Sequence, residues 1–121
     1  MRVLLDTNFL MDMIRFKADL YILDESFGRY ELVTFSSVKD ELKSLAKKTT
    51  ISGRYAKLSL KFIEMNHVHV INSSRRPDNA IIDLAGKDAI AATNDIALRK
   101  KLKSMGMRTI YLKSKKHLAI G

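Results

Sequence analysis

The chain has 121 residues, 46% hydrophobic and 29% charged, enough apolar material for one buried core and too little for two. It contains no cysteine, which excludes disulfides, thiolate metal sites and cysteine nucleophiles. Its formal net charge of +9 favours nucleic acid or another anionic surface as a partner, and no apolar run is long enough to span a membrane.

The chain opens "MRVLLDTNFLMDMIRF". An Arg before apolar residues resembles a secretion signal, but Asp6 and Asp12 interrupt the apolar region and no small-residue cleavage pattern follows. The segment reads instead as a strand, "RVLLD", and a helix with Phe9, Leu10, Met13 and Ile14 on one face, in a cytoplasmic protein. "ADLYILDESFGRY" predicts a second helix ending near Gly28, and "YELVTF" a second strand. In "SSVKDELKSLAKK", Ser36 or Ser37 is the expected N-cap, with Asp40 completing a capping box if Ser37 serves. "SGRYAKLSLKFIEMN" restarts a helix for which Ser52 is the expected cap, and "HVHVIN" alternates as a strand.

Pro77, the only proline, suits the first turn of a helix over "PDNAIIDLA", whose buried stripe is Ala80, Ile81, Leu84 and Ala85. "DAIAAT" is a fourth strand, "DIALRKKLKSMG" a helix closed by Gly106, and "RTIYLK" a fifth strand, followed by a short basic tail. Strands alternating with helices point to one α/β domain over residues 1–121. It is expected as a three-layer α/β/α sandwich around a central, mainly parallel five-stranded sheet. Paired helices fill the two longest connections.

Four acids fall at comparable places. Asp6 ends the first strand, Glu41 lies in the first turns of the helix after the second, Asp78 begins the helix before the fourth, and Asp95 follows the fourth. The carboxyl edge of a parallel sheet is where such positions converge. Clustered carboxylates repel one another unless cations compensate them. Hard ions such as Mg²⁺ or Mn²⁺ prefer oxygen ligands, and two held about 4 Å apart can activate water and stabilise the leaving oxygen of a phosphodiester. Read singly, Asp6, Asp78 and Asp95 serve as helix-start acids and Glu41 as a solvated one.

The ordered set "LLDTNFLMD", "SSVKDELKSLA", "RPDNAIIDLA" and "AATNDIALRKKL" resembles the PIN-domain ribonuclease family over essentially the whole length. Its strand-terminal Asp-Thr-Asn is Asp6, Thr7 and Asn8, its helical Glu is Glu41, and its Thr-Asn-Asp is Thr93, Asn94 and Asp95. The resemblance implies a cytoplasmic, Mg²⁺- or Mn²⁺-dependent endoribonuclease with Asp6, Glu41, Asp78 and Asp95 as catalytic metal ligands. Asn8 and Thr93 would support them by hydrogen bonds. It is most similar to archaeal proteins of the rRNA-processing type, with the VapC-type toxin of toxin–antitoxin pairs as competitor. The partners implied are RNA, a second copy in a homodimer, and an antitoxin or ribosome-assembly factor, with no membrane. One departure stands out: where the family commonly has a second adjacent acid, this chain has Asn79, either a neutral oxygen ligand or a lost carboxylate. That substitution keeps a non-catalytic scaffold binding RNA or protein as an alternative.

Arg75 and Arg76 beside Pro77, and Arg99, Lys100, Lys101 and Lys103 on the last helix, are expected to follow an RNA backbone. Lys113, Lys115 and Lys116 could extend that track, and Tyr30, Tyr55 and Tyr111 could stack bases. His67 and His69 would share one strand face, where packing is the simpler role. A haloacid dehalogenase-type phosphatase requires a second Asp where Asn8 stands.

Overall fold

The computed structural model describes residues 1–114 and 116–121. Lys115, one of the lysines assigned to the RNA track, lies outside the described residues. In chain order the elements are β1 (Arg2–Leu5), α1 (Thr7–Arg15), α2 (Tyr21–Phe27), β2 (Glu31–Phe35), α3 (Ser36–Ala46) and α4 (Ile51–Met65). These are followed by β3 (His69–Ile71), α5 (Pro77–Leu84), β4 (Ala89–Ala92), α6 (Ile96–Ser104), β5 (Thr109–Ser114) and β6 (His117–Ile120). The arrangement is a three-layer α/β sandwich, and no described helix is long and apolar enough to cross a membrane.

One sheet runs in the order β3-β2-β1-β4-β5-β6. The first five strands are parallel and β6 is antiparallel to β5, with a bulge between Leu112 and Ser114. The sheet therefore has six strands rather than five. The basic tail supplies the extra one, because Leu118 buries its side chain while Ile120 and Ala119 pair with Ile110 and Tyr111.

The central strands are the most apolar. Val3, Leu4 and Leu5 of β1 and all four residues of β4 are buried, as expected for strands covered on both faces. The order reverses between β1 and β4, so their carboxyl ends form a topological switch point, the usual place for a ligand crevice in an open α/β sheet. Register then decides what meets there. Leu5 lies opposite Ala92, and the Asp6 N–H donates to the Ala92 carbonyl at 3.2 Å. The next residues outward, Asp6 and Thr93, are consequently neighbours across the crevice.

Local chemistry differs from the sequence expectation at several turns. Phe35 occupies the cap position of α3, and Ser36 is already helical. Its hydroxyl accepts from the Ser73 N–H at 2.8 Å, and it lies 3.0 Å from the Ser73 carbonyl, to which it donates. That pair fastens the loop after β3 to the start of α3 and brings the α5 N-terminus toward the carboxyl edge. Thr50, not Ser52, caps α4, accepting from the Gly53 N–H at 3.0 Å. His67 turns out of the strand with φ 51°, so it does not share a strand face with His69.

Candidate metal centre and acidic cleft

Asp6 is the first residue beyond β1 and the N-cap of α1, its Oδ1 accepting from the Thr7 N–H at 2.9 Å. Its Oδ2 accepts from the Thr93 hydroxyl at 2.9 Å. Thr93 is fully buried, and its oxygen also accepts from the Asp95 N–H at 3.1 Å. Asp95 caps α6 through its Oδ1, 3.1 Å from the Leu98 N–H. One hydroxyl thus positions two acids from opposite sides of the switch point.

Glu41 reaches the same place from α3. Its Oε1 accepts from the buried Thr7 hydroxyl at 2.7 Å. Asp78 enters from the first turn of α5, its Oδ1 accepting from the Asn79 N–H at 3.0 Å. Asp6, Thr7, Asn8, Glu41, Asp78 and Asp95 line one cleft of about 160 Å³, together with Pro77 and Arg76. Arg76 is the single basic side chain lining it among the described residues.

The electrostatics record that imbalance. Burial pushes the Asp6 carboxyl above the ordinary carboxylate value, and the charges of Glu41 and Asp95 push it further in the same direction. The Thr93 and Thr7 hydrogen bonds oppose the shift. A divalent cation would relieve this repulsion, and every side-chain donor on the cleft's acids is an oxygen, which suits Mg²⁺ or Mn²⁺. Among the described residues no three His, Asp or Glu side chains are close enough to make a ready-built cation cage.

The remaining sequence candidates separate. Asn79 is half-buried and is not among the residues lining the cleft, so Asp78 faces it without an adjacent amide. Arg75 forms an exposed ion pair with Asp83, and neither residue lines the cleft. Arg99 is half-buried: its guanidinium lies 3.5 Å from the centroid of the Tyr111 ring, and its Nε donates to the Thr109 hydroxyl at 3.2 Å. That contact occupies both Arg99 and Tyr111. Lys100, Lys101 and Lys103 are exposed on α6, outside the cleft lining. Lys113 and Lys116 are exposed as well.

Two contributors escaped the sequence reading. Thr7 was only a motif letter, yet it is the hydrogen-bond donor that holds Glu41. Asn94 donates to the Asp12 carboxylate at 3.1 Å and accepts from the Leu112 N–H at 2.7 Å. It therefore pins the loop carrying Asp95 to both α1 and β5. The Asp-Thr-Asn and Thr-Asn-Asp strings contained the signal, since each sets a hydrogen-bonding residue directly beside a site acid.

A family profile described as a PIN like domain matches residues 3–115. Over 120 residues the chain is 34% identical to Ribonuclease VapC9 of Archaeoglobus fulgidus, covering 95% of this chain and 85% of that protein. It is 29% identical to Ribonuclease VapC4 of Methanocaldococcus jannaschii, covering 98% and 95% respectively. Its fold superposes on the PIN domain endonuclease Utp24 with a TM-score of 0.74 at 19% identity, covering 97% of this chain and 90% of that one.

Proposed function

The chain belongs to the PIN like domain family, and from that premise we propose that residues 1–121 act as a single-domain, divalent-metal-dependent endoribonuclease of the VapC type. The observation that carries the proposal is the convergence of Asp6, Glu41, Asp78 and Asp95, from four separate segments, on one cleft at the switch point. Two relatives matched along nearly their whole length are named as ribonucleases, which supports RNA as the substrate. They also favour the VapC-type branch over rRNA processing, because the likeness to Utp24 at 19% identity speaks for the fold alone.

Asp6, Glu41 and Asp95 would hold a Mg²⁺ or Mn²⁺ ion, directly or through water, with Asp78 orienting the attacking water. When bound, such a cation would supply Lewis-acid polarisation of the phosphoryl group and acidify water at the site. Thr7 and Thr93 keep the carboxylates in place, as hydrogen-bonded outer groups do around metal ligands. Arg76 at the cleft wall would bind a phosphate next to the scissile one, and Lys100, Lys101 and Lys103 would extend that contact by charge alone. An antitoxin-like protein is the expected partner of a VapC-type enzyme.

The test is cleavage of a labelled single-stranded RNA with Mg²⁺ or Mn²⁺ present. Cleavage is expected to stop with chelator and with Asp95→Asn. Failure of the wild type to cleave any of a panel of tRNA, rRNA and mRNA fragments would overturn the enzyme reading and favour a binding scaffold.

A further inference from the structure

Helix α6 connects two unlike ends of the sheet. It begins beside Asp95 in the acidic cleft, ends at Ser104, and residues 105–108 return the chain to the start of β5. Because β4 and β5 are parallel, this connection crosses from the carboxyl edge to the amino edge. Leu98 and Leu102, one turn apart, bury the inner face of α6, and Lys100, Lys101 and Lys103 stand exposed on the outer one. The helix has nine residues and is therefore about 13 Å long, so its lysines bridge most of the way between the two edges.

At its far end lies a cavity of about 380 Å³ that shares no residue with the cleft. Lys87 and Arg108, from the turns before β4 and β5, are its charged residues, and no described Asp or Glu lines it. Asp88, next in sequence to Lys87, is exposed and is not part of the lining. Among the described residues neither cation has an ion-pair partner. The larger cavity at the amino ends of β1 and β2 differs in this respect, since Asp24 and Glu31 line it beside Arg2 and Arg29. Gly86 and Gly106 leave two sides of the smaller cavity without side chains, while Met105, 46% exposed, and the half-buried Met107 give it an apolar wall.

Two uncompensated cations call for an anion, and methionine thioethers pack well on aromatic rings. An inorganic anion would leave the methionines in water, and an apolar ligand would leave the cations unpaired. A phosphate carrying an aromatic base uses both. Given the proposed reading of the cleft as an RNA site, the lysines of α6 supply the path between them. We propose that this cavity is an exosite that holds one nucleotide of an RNA strand running from the cleft along the outer face of α6. Lys87 and Arg108 take its phosphate, and the base lies against Met105 and Met107. Such a site selects RNAs with unpaired nucleotides extending past the cut on that side.

The probe is a fluorescein-labelled single-stranded RNA of about 12 nucleotides, titrated by anisotropy across a salt series in chelator, where metal-dependent cleavage is silent. The wild type is expected to bind saturably. Lys87→Ala and Arg108→Ala should each weaken binding about three- to tenfold and lower the salt slope by about 0.7, the value of one phosphate contact on a single strand. Met105→Ser, also at an exposed position, should weaken it about threefold with the slope unchanged. Lys61→Ala removes the same charge from the exposed surface of α4, away from the path, and should bind as the wild type does. Circular dichroism checks that each variant folds. No RNA binding by the wild type, wild-type affinity in any of the three cavity variants, or an equal loss in Lys61→Ala would overturn the proposal. So would saturable binding of AMP that Arg108→Ala abolishes while RNA binding is unchanged, which would assign the cavity to a free nucleotide. RNA cleavage with Mn²⁺ is scored separately. A chain that binds as expected without cleaving keeps the exosite and loses the nuclease reading; one that cleaves without these binding losses does the reverse.

Discussion

Thr93→Val isolates the hydroxyl that joins the two sides of the switch point. The side chain is fully buried and the replacement has nearly its shape, so the change removes hydrogen bonding without opening a large cavity. Two contacts are lost: the 2.9 Å bond donated to the Asp6 carboxylate, and the 3.1 Å bond accepted from the Asp95 N–H. A bond to a charged group contributes about 1.5–3 kcal/mol, and an orphaned partner costs about 1–3 kcal/mol where water cannot replace it. The Asp95 N–H lies next to the open cleft, so water recovers part of its loss, and the expected destabilisation is about 2–4 kcal/mol at neutral pH. The penalty should depend on pH. Asp6 already holds its proton above the ordinary carboxylate range, chiefly by burial. The folded chain therefore binds more protons than the unfolded one across that window, and stability falls as pH rises through it. Removing the Thr93 bond, which opposes the shift, pushes the Asp6 carboxyl higher still and deepens the fall. Urea unfolding of chelator-treated wild type and variant should show a difference that is larger at pH about 8 than at pH about 4. A destabilisation below about 0.5 kcal/mol at neutral pH, or one independent of pH, would refute the reasoning.

Three further outcomes follow from the same geometry. Because the ionised form of Asp6 opposes folding above the ordinary carboxylate range, Asp6→Asn should stabilise the metal-free protein at neutral pH and leave it little changed in acid, while abolishing RNA cleavage; matched urea and cleavage assays check both. Gly53→Ala should destabilise by about 1–3 kcal/mol despite the better helix propensity, since a Cβ there would lie 2.1 Å from the Lys48 carbonyl oxygen and 2.9 Å from that of Leu45; thermal unfolding measures it. Arg99→Ala should cost about 1–3 kcal/mol through loss of its contacts to Tyr111 and Thr109 with little effect on RNA affinity, whereas Lys101→Ala should do the reverse, read by unfolding and by RNA binding across a salt series.

Much of the architecture was legible because its signals are local. Short apolar runs, a period of 3.6 in the segments between them and a single helix-starting proline carry the alternation of strands and helices. The sixth strand was not, since "HLAI" follows lysines and has one buried side chain, and its identity depends on β5 lying beside it. Helix caps were misplaced by one or two residues where several hydroxyls compete: Thr50 won over Ser52 because it stands before the first helical turn. In the cleft the acids could be read from their places at strand and helix ends. What holds them could not. The partners of Thr7 and Asn94 lie 34 and 82 residues away, and only the folded register brings them together. The basic face of α6 shows the opposite failure, as composition made Arg99 equivalent to its lysine neighbours although a cross-element contact to Tyr111 and Thr109 withdraws it.

On the proposed reading, the four acids of the cleft act together on a divalent cation. Calorimetric titration with Mn²⁺ of the wild type, Asp6→Asn, Glu41→Gln, Asp78→Asn and Asp95→Asn tests it most directly. The wild type should bind saturably, with affinity falling at least about tenfold in the Asp6, Glu41 and Asp95 variants, which remove ligands, and by less in the Asp78 variant, whose acid orients water. Binding that is equal in the wild type and all four variants would contradict the claim and place any cation elsewhere on the protein.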